Sequence, residues 1–261
     1  LIRMVQINSR IINNKRFKGN YWHCIFEAPL IAKRAIPGQF IDIKLSRNLE
    51  PFLRRPFSIH NISGNKVEIL YDILGLGTKI LSAGKKGEYL DIIGPLGNGF
   101  TYQNKAKLPE QKTIIVAGGI GAAPLLYLSR KIKAENKIVL IGARTKEQVL
   151  CEKEFKGSGC SVKIATDDGS AGFKGRVSGL LKLVLKREGS KPAAIYACGP
   201  KPMLKAVAEI AGDKNIPAQV SMEEHMSCGI GACLGCVVKT KKGLERVCKE
   251  GPVFDAQYLI W

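Results

Sequence analysis

The chain has 261 residues, 45% of them hydrophobic, enough to bury the cores of two modest domains and a small appendage. It carries 41 Lys and Arg against 22 Asp and Glu, a net charge of +19. That excess is spread along the chain with no basic tail, finger spacing or aromatic–basic stripe, so steering of anionic ligands is expected and a dedicated nucleic-acid binder is not. No apolar run is long enough for a membrane span, and the opening LIRMVQINSRIINNKRF lacks the pattern of a secretory leader. The expected location is the cytoplasm, with no membrane attachment.

Up to about residue 102 the sequence reads as short strands broken by glycine and proline: HCIFEA (23–28), GQFIDIKLS (38–46), FSIHNIS (57–63), KVEILYDIL (66–74) and YLDIIG (89–94). Closely spaced strands with turn signals and little helical periodicity predict a small antiparallel β-barrel. After the polar stretch QNKAKLPEQK the pattern changes. TIIVAG (113–118), KIVLIGAR (137–144), SVKIATDDGS (161–170) and AAIYACG (193–199) read as strands. Between and after them, 120–135, 147–155, 179–189 and 201–212 read as helices. This alternation predicts a parallel sheet covered on both faces, with its ligand beyond the carboxyl ends of the strands. From about 217 the alternation stops, and HMSCGIGACLGC holds too little bulky apolar material for a core. The expected domains are 1–103, 104–216 and 217–261.

Eight cysteines are many for a reducing compartment, and four of them crowd the last fifth of the chain. Their spacing, Cys228-x4-Cys233-x2-Cys236-x11-Cys248, is that of plant-type [2Fe-2S] sites. Gly229, Gly231 and Gly235 thin the loop so that backbone N–H groups can approach the sulfurs. Zinc also accepts four cysteines, but usually from two separate knuckles, whereas here three thiols share one loop.

GGIGAAP (118–124) follows a strand and opens a helix, so Gly118, Gly119 and Gly121 would admit a phosphate-bearing ligand to the helix N–H groups. A tight strand-to-helix turn is the plainer alternative, since the strict dinucleotide fingerprint is absent. Cys198, Gly199 and Pro200 end another strand at the same edge, and Cys198 has no accompanying base to make it a nucleophile. In the first domain, Arg55 would pair with a pyrophosphate through its fork of donors and Ser58 would donate to a flavin nitrogen, with a purely structural role for each the equal alternative. The turn GLGT (75–78) would add phosphate contacts. His23, His60 and His225 lie in different regions and form no carboxylate-supported triad, which argues against hydrolase chemistry.

In order, RRPFSI, GLGT, IIGPLGNGF, AGGIGAAPL, CGPKPML, SMEEHMSCGIGACLGC and VCKEGPVF resemble the electron-transfer subunits of NAD-dependent (class 1B) dihydroorotate dehydrogenases, within the ferredoxin-reductase superfamily. The resemblance runs from residue 54 to the end and implies a ferredoxin-reductase-like fold. It implies FAD in the barrel, held by Arg55, Pro56, Phe57 and Ser58, with Leu70, Tyr71, Gly77 and Thr78 lining the same cofactor. Asp72 follows Tyr71 where the family often has a basic residue. An acid cannot neutralise a flavin phosphate, so more of that task falls to Arg55 or nearby lysines. NAD would lie against Gly118–Pro124 and Cys198–Pro200. Cys228, Cys233, Cys236 and Cys248 would hold the [2Fe-2S] cluster. The implied partner is a separate FMN-bearing catalytic subunit that oxidises dihydroorotate in pyrimidine biosynthesis, in a heterotetramer of two plus two. Electrons would run from that FMN through the cluster and FAD to NAD⁺, and this chain alone would not oxidise dihydroorotate.

A flavin suits this post because it exchanges electrons singly or in pairs. Met222, Met226 and Ile230 would offer apolar contact near the cluster, or pack in the core. Arg144 and Lys146 lie near the expected adenosine ribose, where arginine can bind a 2′-phosphate; the preference for NAD over NADP rests on the resemblance. A reductase subunit of another NAD(P)H-linked ferredoxin oxidoreductase or sulfhydrogenase is the near alternative, and a zinc-stabilised interaction module the distant one.

Overall fold

The computed structural model describes residues 4–46, 50–102, 112–133, 136–187 and 192–261. The polar stretch expected to join the first two domains therefore lies mostly outside the described residues, as do the expected ends of two helices at 134–135 and 188–189.

The first half is a seven-stranded antiparallel sheet. Its strands are β1 (Val5–Lys18), β2 (Tyr21–Glu27), β3 (Phe40–Lys44), β4 (Arg55–Ser58), β5 (Asn61–Ser63), β6 (Lys66–Asp72) and β7 (Tyr89–Leu96), with a single turn α1 (Pro29–Ala32) and a helix α2 (Leu76–Ala83). The strand order is β4-β3-β7-β1-β2-β6-β5. FSIHNIS is not one strand: the chain turns a corner at Ile59 and His60, where Ile59 N–H bonds the Gln39 carbonyl and His60 N–H bonds that of Glu68. The two ends of the sheet are thus joined and it rolls around an interior of Cys24, Phe26, Ile41, Ile43, Ile69 and Ile92. The long β1 and helix α2 go beyond the sequence-based expectation, which had only a turn at 75–78.

The second sheet comprises β8 (Thr113–Gly118), β9 (Lys137–Ala143), β10 (Cys160–Thr166), β11 (Phe173–Lys174), β12 (Ala194–Cys198), β13 (Ala218–Ser221) and β16 (Val253–Asp255). Its order is β11-β10-β9-β8-β12-β13-β16. All pairings are parallel except β13 with β16. Side chains alternate across the pleat and sort to opposite faces. Ile115, Ala117, Val139 and Ile141 meet α3 (Ala122–Lys131) and α4 (Glu152–Gly157). Ile114, Val116, Ile138 and Leu140 meet α5 (Val177–Arg187) and α6 (Lys201–Asp213). The helix expected over 147–155 starts later: Cys151 adopts a left-handed φ of 59°, and α4 begins after it.

Beyond 217 the chain first completes the second sheet with β13, leaves it for the cysteine loop and the hairpin β14 (Val237–Thr240) and β15 (Gly243–Arg246), then returns as β16. Among the described residues no helix is long and apolar enough to cross a membrane.

Candidate functional site

Strand β8 is the switch point of the second sheet: β9 extends it one way and β12 the other, so the turns leaving β8 and β12 face each other at the carboxyl edge. They pack closely. A Cβ on Gly121 would lie 2.2 Å from the Cys198 carbonyl oxygen, so only glycine lets these turns meet. Gly118 abuts Pro200 and Met203, and Gly199 abuts Gly118. The structure therefore brings Gly118, Gly119, Gly121, Cys198, Gly199 and Pro200 together. Cys198 is buried, and burial with the neighbouring Glu223 pushes its thiol far above the ordinary range, against the pull of Ser221. It is a packing residue here and no nucleophile.

Next to this edge opens a cleft of about 530 Å³ to which three parts of the chain contribute. The rolled sheet supplies Pro56, Phe57, Ser58, Leu70, Tyr71 and Asp72, and the nucleotide turn supplies Ile120 and Ala123. Met222, Glu223, His225 and Met226 come from the segment leading to the cysteines. Phe57 and Tyr71 stack edge to face, 5.7 Å apart. The Tyr71 hydroxyl turns away to Asn14, at 3.0 Å, so the ring rather than the OH faces the cleft. Thr78 lines the cleft, but its hydroxyl accepts from the N–H groups of Leu74 and Gly75 and so secures the start of α2. Arg55 lies beside the cleft, packed on Gly77, with Nη1 bonded to the carbonyls of Leu53 and Arg54.

Asp72 Oδ1 is buried without a partner, and burial raises the carboxyl against the Ile73 N–H. A ligand bearing hydroxyl donors, as the ribityl chain of a flavin does, would satisfy that atom. Apolar and aromatic walls suit the ring of a planar cofactor, and the polar groups among them, such as Ser58 and Asp72, suit its polar edge and chain, so the residues present fit a flavin.

Glu223 is a site residue that sequence reasoning did not single out; burial raises its carboxyl. Ile120 and Ala123 were missed too, although both lie inside a motif that was noted. Their signal is spatial: each lines the cleft opposite residues of the first sheet more than 40 positions away in sequence.

At the far edge of the second sheet, the ends of β9 and β10 interlock. Asp168 N–H bonds the Arg144 carbonyl at 3.3 Å, and Lys146 N–H bonds Ser170 Oγ at 2.8 Å. The Ser170 hydroxyl and N–H hold the exposed Asp168 carboxylate below its ordinary range. The backbones that carry Arg144 and Lys146 are thus tied to the turn that carries Asp168 and Ser170.

The cysteines form two pairs. Cys228 Sγ accepts from Ala232 N–H at 3.3 Å and Cys233 N–H at 3.4 Å, and Cys236 Sγ accepts from Cys248 N–H at 3.4 Å. Burial would raise the Cys228 thiol, but the N–H groups of Cys233 and Ile230 outweigh it and hold it at about 6. Burial and the adjacent Cys236 push Cys248 up to about 12. Among the described residues no three His, Cys, Asp or Glu side chains already converge on one metal position. The donor set nevertheless fits an iron–sulfur centre: four soft thiols, and N–H groups aimed at the sulfurs. Arg246 braces the loop through Gly231 O, at 2.7 Å, and pairs with Glu250. On the other side the loop rests on the first sheet, where a Cβ on Gly229 would lie 2.3 Å from the buried Asp42 carboxylate. Burial pushes Asp42 up to about 7, opposed by Arg54 and reinforced by Cys228.

Comparison with known proteins agrees with this geometry. A family model described as the iron–sulfur cluster binding domain of dihydroorotate dehydrogenase B matches residues 223–260. One described as an oxidoreductase NAD-binding domain matches 115–209. The dihydroorotate dehydrogenase B (NAD(+)) electron transfer subunit of Desulforamulus reducens is 42% identical over 251 residues, covering 93% of each chain. That of Caldanaerobacter subterraneus is 41% identical over 260 residues, covering 98% of this chain and 99% of the relative. The solved NADH-dependent reduced ferredoxin-NADP oxidoreductase superimposes with a TM-score of 0.85 at 28% identity, over 97% of this chain and 90% of that one. Its likeness supports the ferredoxin-reductase-like fold, and the closer sequence matches separate this chain from the other reductases: it belongs to the family of dihydroorotate dehydrogenase B electron transfer subunits.

Proposed function

We propose that this chain is the NAD-linked electron-transfer subunit of a dihydroorotate dehydrogenase in pyrimidine biosynthesis, working with a separate FMN-bearing catalytic subunit. The observation that carries the reading is the shared cleft: Ser58 and Asp72 from the first sheet, Ile120 and Ala123 from the nucleotide turn, and Met222 and Met226 from the approach to the cysteines all line one cavity. A flavin there would stand between a nicotinamide site and an iron–sulfur site within one chain.

In this reading 1–103 holds FAD through Arg55, Pro56, Phe57, Ser58, Leu70, Tyr71, Asp72, Gly77 and Thr78. The α/β part, 104–216, receives NAD at Gly118, Gly119, Gly121, Cys198, Gly199 and Pro200. The tail, 217–261, holds a [2Fe-2S] cluster through Cys228, Cys233, Cys236 and Cys248. When bound, a flavin exchanges electron pairs with nicotinamide and single electrons with an iron–sulfur centre. The protein's part is to orient these groups and exclude water from the cleft. The complex is a heterotetramer of two plus two in the cytoplasm, and the nucleotide is NAD.

Reconstitution tests this. Purified holo-subunit alone should reduce artificial acceptors from NADH and leave dihydroorotate untouched. Mixing it with the FMN-bearing subunit should yield orotate and NADH together. Dihydroorotate oxidation by this chain alone would move the chemical step here, and refusal of the holo-partner to accept or pass electrons would favour a different reductase complex.

A further inference from the structure

We propose that His60 is a positioning residue, whose bond to the Ala123 carbonyl fixes the nucleotide-binding turn and the start of α3 relative to the flavin cleft. It rests on the functional reading above and adds to it a residue outside the cofactor contacts.

His60 sits at the corner between β4 and β5, two residues after Ser58, and is 3% exposed. Its Nδ1 is 2.8 Å from the carbonyl oxygen of Ala123. A carbonyl only accepts, so the proton is on Nδ1 and the ring donates. Ser58 and Ala123 both line the cleft. This one buried bond therefore spans from the flavin wall to the turn carrying Gly118, Gly119 and Gly121.

The ring itself is held in place. His23 meets it edge on at 5.6 Å, and His23 Nε2 lies 2.9 Å from Glu68 Oε2. The other Glu68 oxygen accepts from Asn61 Nδ2 at 2.8 Å. One turn further along α3 a second buried bond joins the same two parts in the opposite sense, the Tyr127 hydroxyl donating to the Ala35 carbonyl at 3.1 Å. Two directional bonds at this junction fix α3 along its axis as well as against the sheet. Simple packing would be served by an apolar side chain, without the desolvation cost of a buried imidazole. Transfer between nicotinamide and flavin needs the reacting atoms within about 3–3.5 Å, and a displacement of about 1 Å costs up to ~100-fold in rate.

The test compares FAD-loaded wild type with His60→Asn, His60→Leu and His60→Gln. Asparagine can place an N–H near the position of Nδ1, whereas leucine and glutamine cannot. Two readouts apply: stopped-flow reduction of the flavin at saturating NADH, and amide hydrogen exchange at 122–127. His60→Leu should slow reduction about 10- to 100-fold, leave NADH affinity within about threefold, and speed exchange at the start of α3. His60→Asn should stay near wild type in both. Should His60→Leu not fold, His60→Gln carries the same expectation. Wild-type rate and exchange in the loss variants would overturn the proposal, as would an asparagine variant as impaired as they are. If wild-type holoprotein is not reduced by NADH, the functional reading fails, and the exchange measurement still decides whether His60 anchors α3.

Discussion

Burial lowers the His60 imidazole to about 4 against the raising influence of the Ala123 carbonyl, with His23 and Arg130 lowering it further and Glu68 raising it. In the unfolded chain the group returns to about 6.5, so between those values the unfolded state binds the extra proton. Its contribution to stability is therefore complete above about pH 6.5 and is lost as pH falls through about 4, amounting to about 3 kcal/mol. Unfolding free energies from denaturant titrations between pH 7 and 4 should fall further for wild type than for His60→Asn, by roughly that amount. Nothing in the sequence announced this role. A histidine between Ile59 and Asn61 shows no partner, because the partner is a backbone carbonyl far along the chain. The cysteines were legible for the opposite reason: their chemistry requires close spacing, and spacing is visible in a sequence. Ser58 and Tyr71 were found as cleft residues, although the Tyr71 hydroxyl serves Asn14 instead of the cleft.

Among the elements, β8 was read to the residue, because a fully buried parallel strand is an unbroken apolar run. Strand β1 was not, since Asn13 and Asn14 interrupt its pattern and register shifts flank them. Helix α2 was hidden by its opening glycines, and β13 and β16 by their shortness. Lys137, the first residue of β9, illustrates a contact between elements that polarity alone disguises. Its Nζ donates to the carbonyls of Ser129, Ile132 and Ser158 at 2.9, 3.3 and 2.9 Å, holding the ends of α3 and α4 against the sheet. Charged donors on helix-end carbonyls satisfy groups that have no partner within the helix. Replacing Lys137 with methionine should destabilise the FAD-loaded protein by about 1.5–3 kcal/mol, read from the shift in denaturant midpoint. No change in midpoint would mean that water serves these carbonyls equally well.

For the molecule as a whole, a net charge of +19 bears on encounter rates more than on the fold. With NADH as donor, kcat/KM for ferricyanide, a trianion, should fall about tenfold as salt rises from roughly 0.05 to 0.5 M, where screening shortens the reach of the charges. A neutral quinone acceptor should change little over the same range. Equal salt dependence for both acceptors would show that surface charge does not guide the encounter.

The pairing of β16 with β13 also bears on how the protein is made. The cysteine loop leaves the second sheet after Ser221 and returns at Val253, so it is gathered at a neck formed by two adjacent strands. Of the described strands, β16 leaves the ribosome last. Until it does, the rolled sheet and most of the parallel sheet have their partners, while the cysteines hang on an open tail. Pairing of β16 with β13 closes the neck. A cluster taken up there would load onto a loop whose ends are already tied, so the closure entropy would be met by strand pairing rather than by the metal.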